Sequence, residues 1–232
     1  MAESSSFPKY RTIYFDFEGR AESIYLTFAL AGVPHEEHRF KDRAELAALK
    51  ASGRLMFGQV PALEIIPEAG EPIVVLNQTA AIMRFVAKLK PEAGLYPTDA
   101  VAAARVDAIV DQRADCFSGL MVSKYQERFG FGFLNDQPAL AEEAQNAWHA
   151  EVAPRHLGTL AALLEQGGTG WLAGTPGPSI ADALWAVDLA RLGRSQSGDA
   201  SVLAAFPTLV DLTKRFYELP AITAYYAAKA KV

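Results

Sequence analysis

TIYFDFEGRAE, residues 12–22, changes its period part-way along. The first six residues alternate and read as a strand. Thr12, Tyr14 and Asp16 share one face, and Ile13, Phe15 and Phe17 share the other. The end of the stretch opens a helical run, AESIYLTFALAG. That run closes on Gly32, a residue suited to the left-handed position past a helix end. A single glycine, Gly19, lies at the change, between Glu18 and Arg20. A strand passing at once into a helix is the start of an α/β layer. Tyr14 stands close to that turn, where a tyrosine can fill a core or hold a proton for chemistry.

The pattern continues outward to residue 89. HEEHRF reads as a short strand and RAELAALKA as a weak helix. QVPALEII and EPIVVLN read as strands joined by the turn PEAGE. TAAIMRFVAKL is a helix with Ile82, Phe85, Val86 and Leu89 on one face. KPEAGLYPTD, with two prolines and a glycine, reads as a linker. Every later segment reads as helix. AVAAARVDAIVDQRADCFSGLMVSKYQERF is long and amphipathic. PALAEEAQNAWHAEV and RHLGTLAALLEQ follow, separated by Pro154. SIADALWAVDLARLG, PTLVDLTKRFYELP and AITAYYAAKAK complete the chain. The predicted architecture is an α/β domain over residues 8–89 joined to an all-α domain over residues 98–232. Ser179 and Asp182, in S-x-x-D spacing before an apolar run, predict a capping box with a structural role.

Composition narrows the function. A chain of 232 residues makes one large domain or two modest ones and can bury a sizeable core. The formal net charge of −5 comes without a basic patch, so nucleic acid is not expected as a partner. A single cysteine, Cys116, excludes an internal disulfide and fits a reducing compartment. MAESSSF lacks the basic and apolar regions of a secretory signal. No stretch approaches the roughly 18 apolar residues of a membrane span, so the expected setting is cytoplasmic. His35, His38, His149 and His156 show no metal-ligand spacing with carboxylates. They are expected at the surface, and no metal is expected. G-x-S-x-G, Walker and C-x-x-C motifs are absent.

Two short motifs could carry chemistry. In GQVPAL, residues 58–63, the Val60–Pro61 bond is a candidate for the cis form. Such a bond beside a cleft leaves neighbouring backbone groups for an extended ligand, although an edge-strand proline is the commoner reading of the dipeptide alone. In LNQTAAI, residues 76–82, Thr79 is a candidate N-cap, and the helix start it opens suits a carboxylate. A cap serving only its helix is the commoner reading there too.

The order of these motifs is more specific than any one of them. Tyr14 in the first strand is followed by G-R-A-E, F-G-Q-V-P and N-Q-T. A proline-containing linker and an all-helical half with S-I-A-D come next. From Tyr10 to about Tyr226 this order resembles the cytosolic glutathione transferases. YFDFEGRAE and VDAIVDQRADCF are most similar to the tyrosine-type classes, sigma above all. The resemblance implies a thioredoxin-like domain that binds glutathione and a helical domain that supplies most of the electrophile pocket.

Residue roles follow from that resemblance. Tyr14 matches the catalytic tyrosine, with Tyr10 a rival by type only, and Arg20 matches an arginine near the sulfur. Gln59 and Val60, beside Pro61, match the segment that pairs with the cysteinyl residue of glutathione. Gln78 and Thr79 match the Gln-Ser pair on the γ-glutamyl carboxylate, with Thr replacing Ser. Asp115 matches an acid that reaches a neighbouring subunit's glutathione, which implies a homodimer. Asp111 sits one turn earlier on the same face. Ala114 stands where sigma-type chains often carry a further acid. No tryptophan precedes Trp148, so the glycyl carboxylate falls to Lys50, with Arg54 second. Phe15, Val122 and Tyr125 are placed in the electrophile pocket. The implied activity is conjugation of glutathione, as co-substrate, to small hydrophobic electrophiles. Alternatives are a prostaglandin-like endoperoxide isomerase, a ligand carrier and a crystallin-like structural protein.

Overall fold

A computed structural model of the protein describes residues 8–67, 73–196 and 199–230. Beyond Pro67, the predicted turn PEAGE lies outside these residues. The chain forms two compact units. The first begins with β1 (Lys9–Phe15), α1 (Glu22–Ala31), β2 (Glu36–Phe40) and α2 (Arg43–Ala51). It continues with β3 (Ala62–Ile66), β4 (Val74–Asn77) and α3 (Thr79–Leu89). The sheet order is β2-β1-β3-β4, with β1 parallel to β2 and antiparallel to β3. This is the α/β layer that the alternation of strand and helix predicts, and it has the thioredoxin-like form that the resemblance implies.

Strand parity sorts the packing. Tyr10 sends its ring to Phe28 of α1 and Phe85 of α3, with centroids 5.9 and 6.0 Å away. The Tyr10–Thr12–Tyr14 face is therefore the one that α1 and α3 cover. Ile13, Phe40, Leu55 and Ala62 form a separate core on the opposite face, against Leu46 and Leu49 of α2. Gly32 takes φ 63° past the end of α1, as its residue type predicts.

The second unit, Pro97–Leu219, is helical. It holds α4 (Ala100–Lys124), α5 (Pro138–Ala147), α6 (Ala153–Gly167), α7 (Ile180–Gly193), α8 (Ala200–Ala204) and α9 (Pro207–Tyr217). The sequence predicts a break at Pro154, but there is none. A π-helical turn, Trp148–Val152, joins α5 to α6, and Pro154 sits in the first turn of α6. A wider turn accommodates a residue that cannot donate an amide hydrogen. The Trp148 and Trp185 indoles are buried and donate to the Cys116 and Ile109 carbonyls of α4, at 2.6 and 2.8 Å. Arg113 of α4 makes a two-pronged ion pair with the buried Asp188 of α7. Cys116 is fully buried, and burial first, then Asp188, pushes its thiol up to about 12. It is a packing residue rather than a nucleophile.

The capping box forms at the start of α7, and Asp182 does more than cap. Its carboxylate accepts from the Ser179 N–H and hydroxyl, both at 2.8 Å, and from the Leu172 N–H at 2.8 Å. It therefore anchors the preceding loop as well as the helix.

The last helix, α10 (Pro220–Lys229), belongs to the first unit, although the sequence reading placed it with the helical domain. Hydrogen bonds explain the difference. The Tyr225 hydroxyl donates to Glu37 of β2 and the Tyr226 hydroxyl to Glu22 of α1, each at 2.7 Å. Arg39 pairs with Glu37 at 2.6 Å and lies 4.6 Å from the Tyr25 ring centre.

His35 borders this network and is not a surface residue. Its side chain is only 9% exposed and stacks on Phe28 at 4.3 Å. Burial holds its pKa below the ordinary 6.5. The unfolded chain therefore binds this proton more readily than the native one. Native stability from this group is complete above 6.5 and is lost as pH falls below it. His35→Phe, which keeps the stacking, is expected to flatten the fall in melting temperature between pH 7 and pH 5. A thermal-melt series on both proteins checks this; parallel curves would assign the acid sensitivity elsewhere.

Candidate functional site

The site is assembled where β1, the loop before β3 and the start of α3 converge. Tyr14 is 6% exposed and packs with Ala21 and Tyr25, against Phe15, Val60 and Tyr225. Its ring is partly core, yet its hydroxyl is engaged in a way that core filling does not need. The Arg20 backbone N–H donates to Tyr14 Oη at 3.1 Å. An oxygen that accepts an N–H is polarised, and its own proton becomes a better donor to a second partner. Gly19 makes this approach possible. A Cβ at Gly19 would lie 2.6 Å from Tyr14 Oη and 2.9 Å from the ring. Tyr10, the alternative by residue type, is buried against Phe28 and Phe85 and is 3% exposed.

A pocket opens beside this corner, lined by Gln59, Val60, Pro61, Asn77, Gln78 and Thr79, together with Arg20 and Phe57. Val60–Pro61 is cis. Asn77 ties the pocket's two arms together. Its amide donates to the carbonyls of Gln59 at 3.0 Å and Pro61 at 3.4 Å, and its oxygen accepts the Met56 N–H at 3.1 Å. Gln78 has φ 72°, which is sparsely populated for a residue with a side chain, and such strain clusters at functional sites. The helix starts one residue earlier than the cap assignment predicts. Gln78, not Thr79, is the N-cap, and its carbonyl accepts the Ile82 N–H at 3.0 Å. Thr79, the first helical residue, donates its hydroxyl to the Arg20 carbonyl at 3.4 Å and so ties α3 to the β1–α1 loop.

Six predicted residues therefore meet here beside Tyr14: Arg20, Gln59, Val60, Pro61, Gln78 and Thr79. Lys50 does not join them; it is exposed in the last turn of α2 and does not line the pocket. Arg54, its alternate, is ion-paired with Glu64. Phe15 is mostly a wedge between the two sheet-face cores, its ring 4.5 Å from Phe40. Phe17 presents an exposed ring at this corner, 54% exposed, stacked on Phe15 and edge-on to Tyr14. Asp115 and Asp111 are exposed on α4, Val122 is half-buried there, and Tyr125 closes that helix at 55% exposure. All four stand in the second unit.

Phe17, Asn77 and the close packing of Gly19 escaped the sequence reading. For Asn77 a signal was present, since a polar residue ends an otherwise apolar strand. Among the described residues no group of three or more His, Cys, Asp or Glu could hold a metal ion. None of the described helices is long and apolar enough to cross a membrane.

The family profile described as glutathione S-transferase, C-terminal domain, matches residues 125–229. Hematopoietic prostaglandin D synthase of Gallus gallus is 31% identical over 224 residues, 97% of this chain and 98% of that protein. Glutathione S-transferase A3 of Mus musculus is 31% identical over 213 residues, 90% of this chain and 84% of that protein. The chain belongs to the glutathione S-transferase family. Its two-unit architecture is the glutathione S-transferase fold, and glutathione is the family's co-substrate. A solved structure of rat hPGDS complexed with a quinoline agrees with a TM-score of 0.73 at 27% identity, covering 95% of this chain and 97% of that one.

Proposed function

We propose that this glutathione S-transferase conjugates the glutathione thiolate to small hydrophobic electrophiles. In this reading residues 8–89, completed by α10, form the glutathione-binding domain, and the helical unit carries the electrophile pocket. The observation that carries it is the Tyr14 hydroxyl, polarised by the Arg20 N–H, beside the pocket of Val60, Pro61, Gln78 and Thr79. A thiol with a pKa of about 8.5 is only a few per cent ionised at neutral pH. A hydroxyl donor at the sulfur stabilises the charged form and lowers that pKa. The thiolate then attacks the electrophilic carbon, and the leaving group departs with its electron pair. Gln78 and Thr79 hold the γ-glutamyl carboxylate and Gln59 with Val60 the cysteinyl backbone. Arg20 lies near the sulfur, and Lys50 takes the glycyl carboxylate. Phe15, Val122 and Tyr125 contact the electrophile, and Phe17 joins them.

Retention on immobilised glutathione, followed by turnover of 1-chloro-2,4-dinitrobenzene, tests the reading. Binding without turnover would favour a carrier, and neither would favour a structural protein. The similarity to hematopoietic prostaglandin D synthase supports a second, sigma-type activity, isomerisation of a prostaglandin-like endoperoxide at the same site.

Two variants probe its parts. Gly19→Ala pushes a methyl group against Tyr14 Oη, so turnover is expected to fall about tenfold or more while glutathione affinity changes little. Steady-state kinetics beside calorimetry checks this, and unchanged turnover would show that the hydroxyl tolerates displacement. A cytoplasmic homodimer in which Asp115 completes the partner's glutathione site is the second element. Asp115→Asn is expected to weaken glutathione binding by on the order of 1.5–3 kcal/mol and leave the dimer intact. Unchanged affinity would remove Asp115 from the site, and a monomer at micromolar concentration would remove the interface.

A further inference from the structure

The sheet face opposite the Tyr14 ring carries a second pocket, of about 350 Å³, between α2 and strands β1, β2 and β3. That size lies within the range of small-molecule sites. Its floor is apolar, from Ile13, Phe40 and Leu49, with Ala48 on the α2 side. Its charged wall is unusual. Glu64, in mid-strand, has a side chain only 1% exposed and is shared by two arginines. Its Oε2 accepts from Arg11 Nε at 2.7 Å, and its Oε1 pairs with Arg54. Arg11 and Arg54 are 35% and 42% exposed.

Two guanidinium groups on one carboxylate leave a surplus of one positive charge. A guanidinium has five N–H donors. Among the described residues, the side chains of Arg11 and Arg54 have no acceptor but Glu64. The pocket's other acid, Glu45, is turned onto His38, 2.5 Å away, and pairs with neither arginine. A second carboxylate would be met by planar, charged donors that a buried acid already holds in place. The adjoining floor would cover a hydrocarbon body.

We infer that this pocket binds a small carboxylic acid with an aryl or branched-alkyl body. The carboxylate lies against Arg11 and Arg54 and the body lies on Ile13, Phe40 and Leu49. The site is separate from the Tyr14 pocket, and the inference does not depend on the transferase reading.

The test is calorimetric titration of the full-length protein with 1-naphthoate, with and without saturating S-hexylglutathione. Stoichiometric binding, unaffected by S-hexylglutathione, is expected. The neutral isostere 1-naphthamide is expected to bind at least tenfold more weakly. Ala48→Trp, which places an indole in the pocket from α2, is expected to weaken naphthoate at least tenfold and leave conjugation activity unchanged. Arg11→Gln should weaken naphthoate similarly; should that variant fail to fold, Ala48→Trp still decides. Absence of binding, equal affinity for the amide, or unaltered binding by Ala48→Trp would overturn the inference. So would displacement by S-hexylglutathione, which would place the naphthoate in the glutathione site. Failure of S-hexylglutathione itself to bind would count against the transferase reading alone, because the Ala48→Trp comparison does not use it.

Discussion

Replacing Tyr14 with phenylalanine is expected to cut turnover at neutral pH by roughly ten- to a hundredfold. The substitution keeps the ring, and with it the packing against Ala21 and Tyr25. It removes only the hydroxyl that accepts the Arg20 N–H. If that hydroxyl lowers the thiol pKa of bound glutathione by ~2 units, it contributes about 2.7 kcal/mol to thiolate stability. The bound thiol of the variant should then titrate close to its free value. Glutathione affinity should change far less, because the residues proposed to hold its carboxylates and backbone are other than Tyr14. A pH series following thiolate absorbance in the ultraviolet, on both proteins with bound glutathione, measures this directly. Coincident titrations with equal turnover would make Tyr14 a core residue and assign the sulfur to Arg20 or another donor.

Asp182→Ala is expected to cost about 3 kcal/mol or more, well above the ~1 kcal/mol of an ordinary cap. The variant leaves three donors around a fully buried position without their acceptor: the Ser179 N–H, the Ser179 hydroxyl and the Leu172 N–H. For a chain of this size the loss corresponds to a fall in melting temperature of roughly 6–12 °C. Ser179→Ala removes one of the three donors and should cost about 1 kcal/mol. Thermal melts of the two variants side by side decide the point. Equal losses would mean that Asp182 caps its helix and nothing more. Glutathione affinity should be untouched in both, since neither residue belongs to the pocket.

Local chemistry was legible in the residues alone. The alternation in TIYFDF, the glycine ending α1, the S-x-x-D box and the helical period after residue 98 all depend on neighbours a few positions apart. The ordering of Tyr14, Val60–Pro61 and Gln78–Thr79 along the chain also needed no contact to be read, and it pointed to the family. Contacts between distant segments were not legible. Asn77 reads as the end of a strand, and only folding brings its amide to the Gln59 and Pro61 carbonyls, 18 and 16 residues earlier. Pro154 reads as a break because the compensating π-helical turn leaves no residue signature. Tyr225 and Tyr226 look like part of a helical domain. Their hydroxyls reach Glu37 and Glu22 across 188 and 204 residues and move the last helix into the first unit. Arg11, Arg54 and Glu64 are three ordinary charges in the sequence, and they become a cluster only when β1 and β3 pair in register. Propensity, capping and periodicity act over a few residues and can be read from order. The partner of a buried charge or amide is set by which strands and helices pack together, which the tertiary fold alone decides.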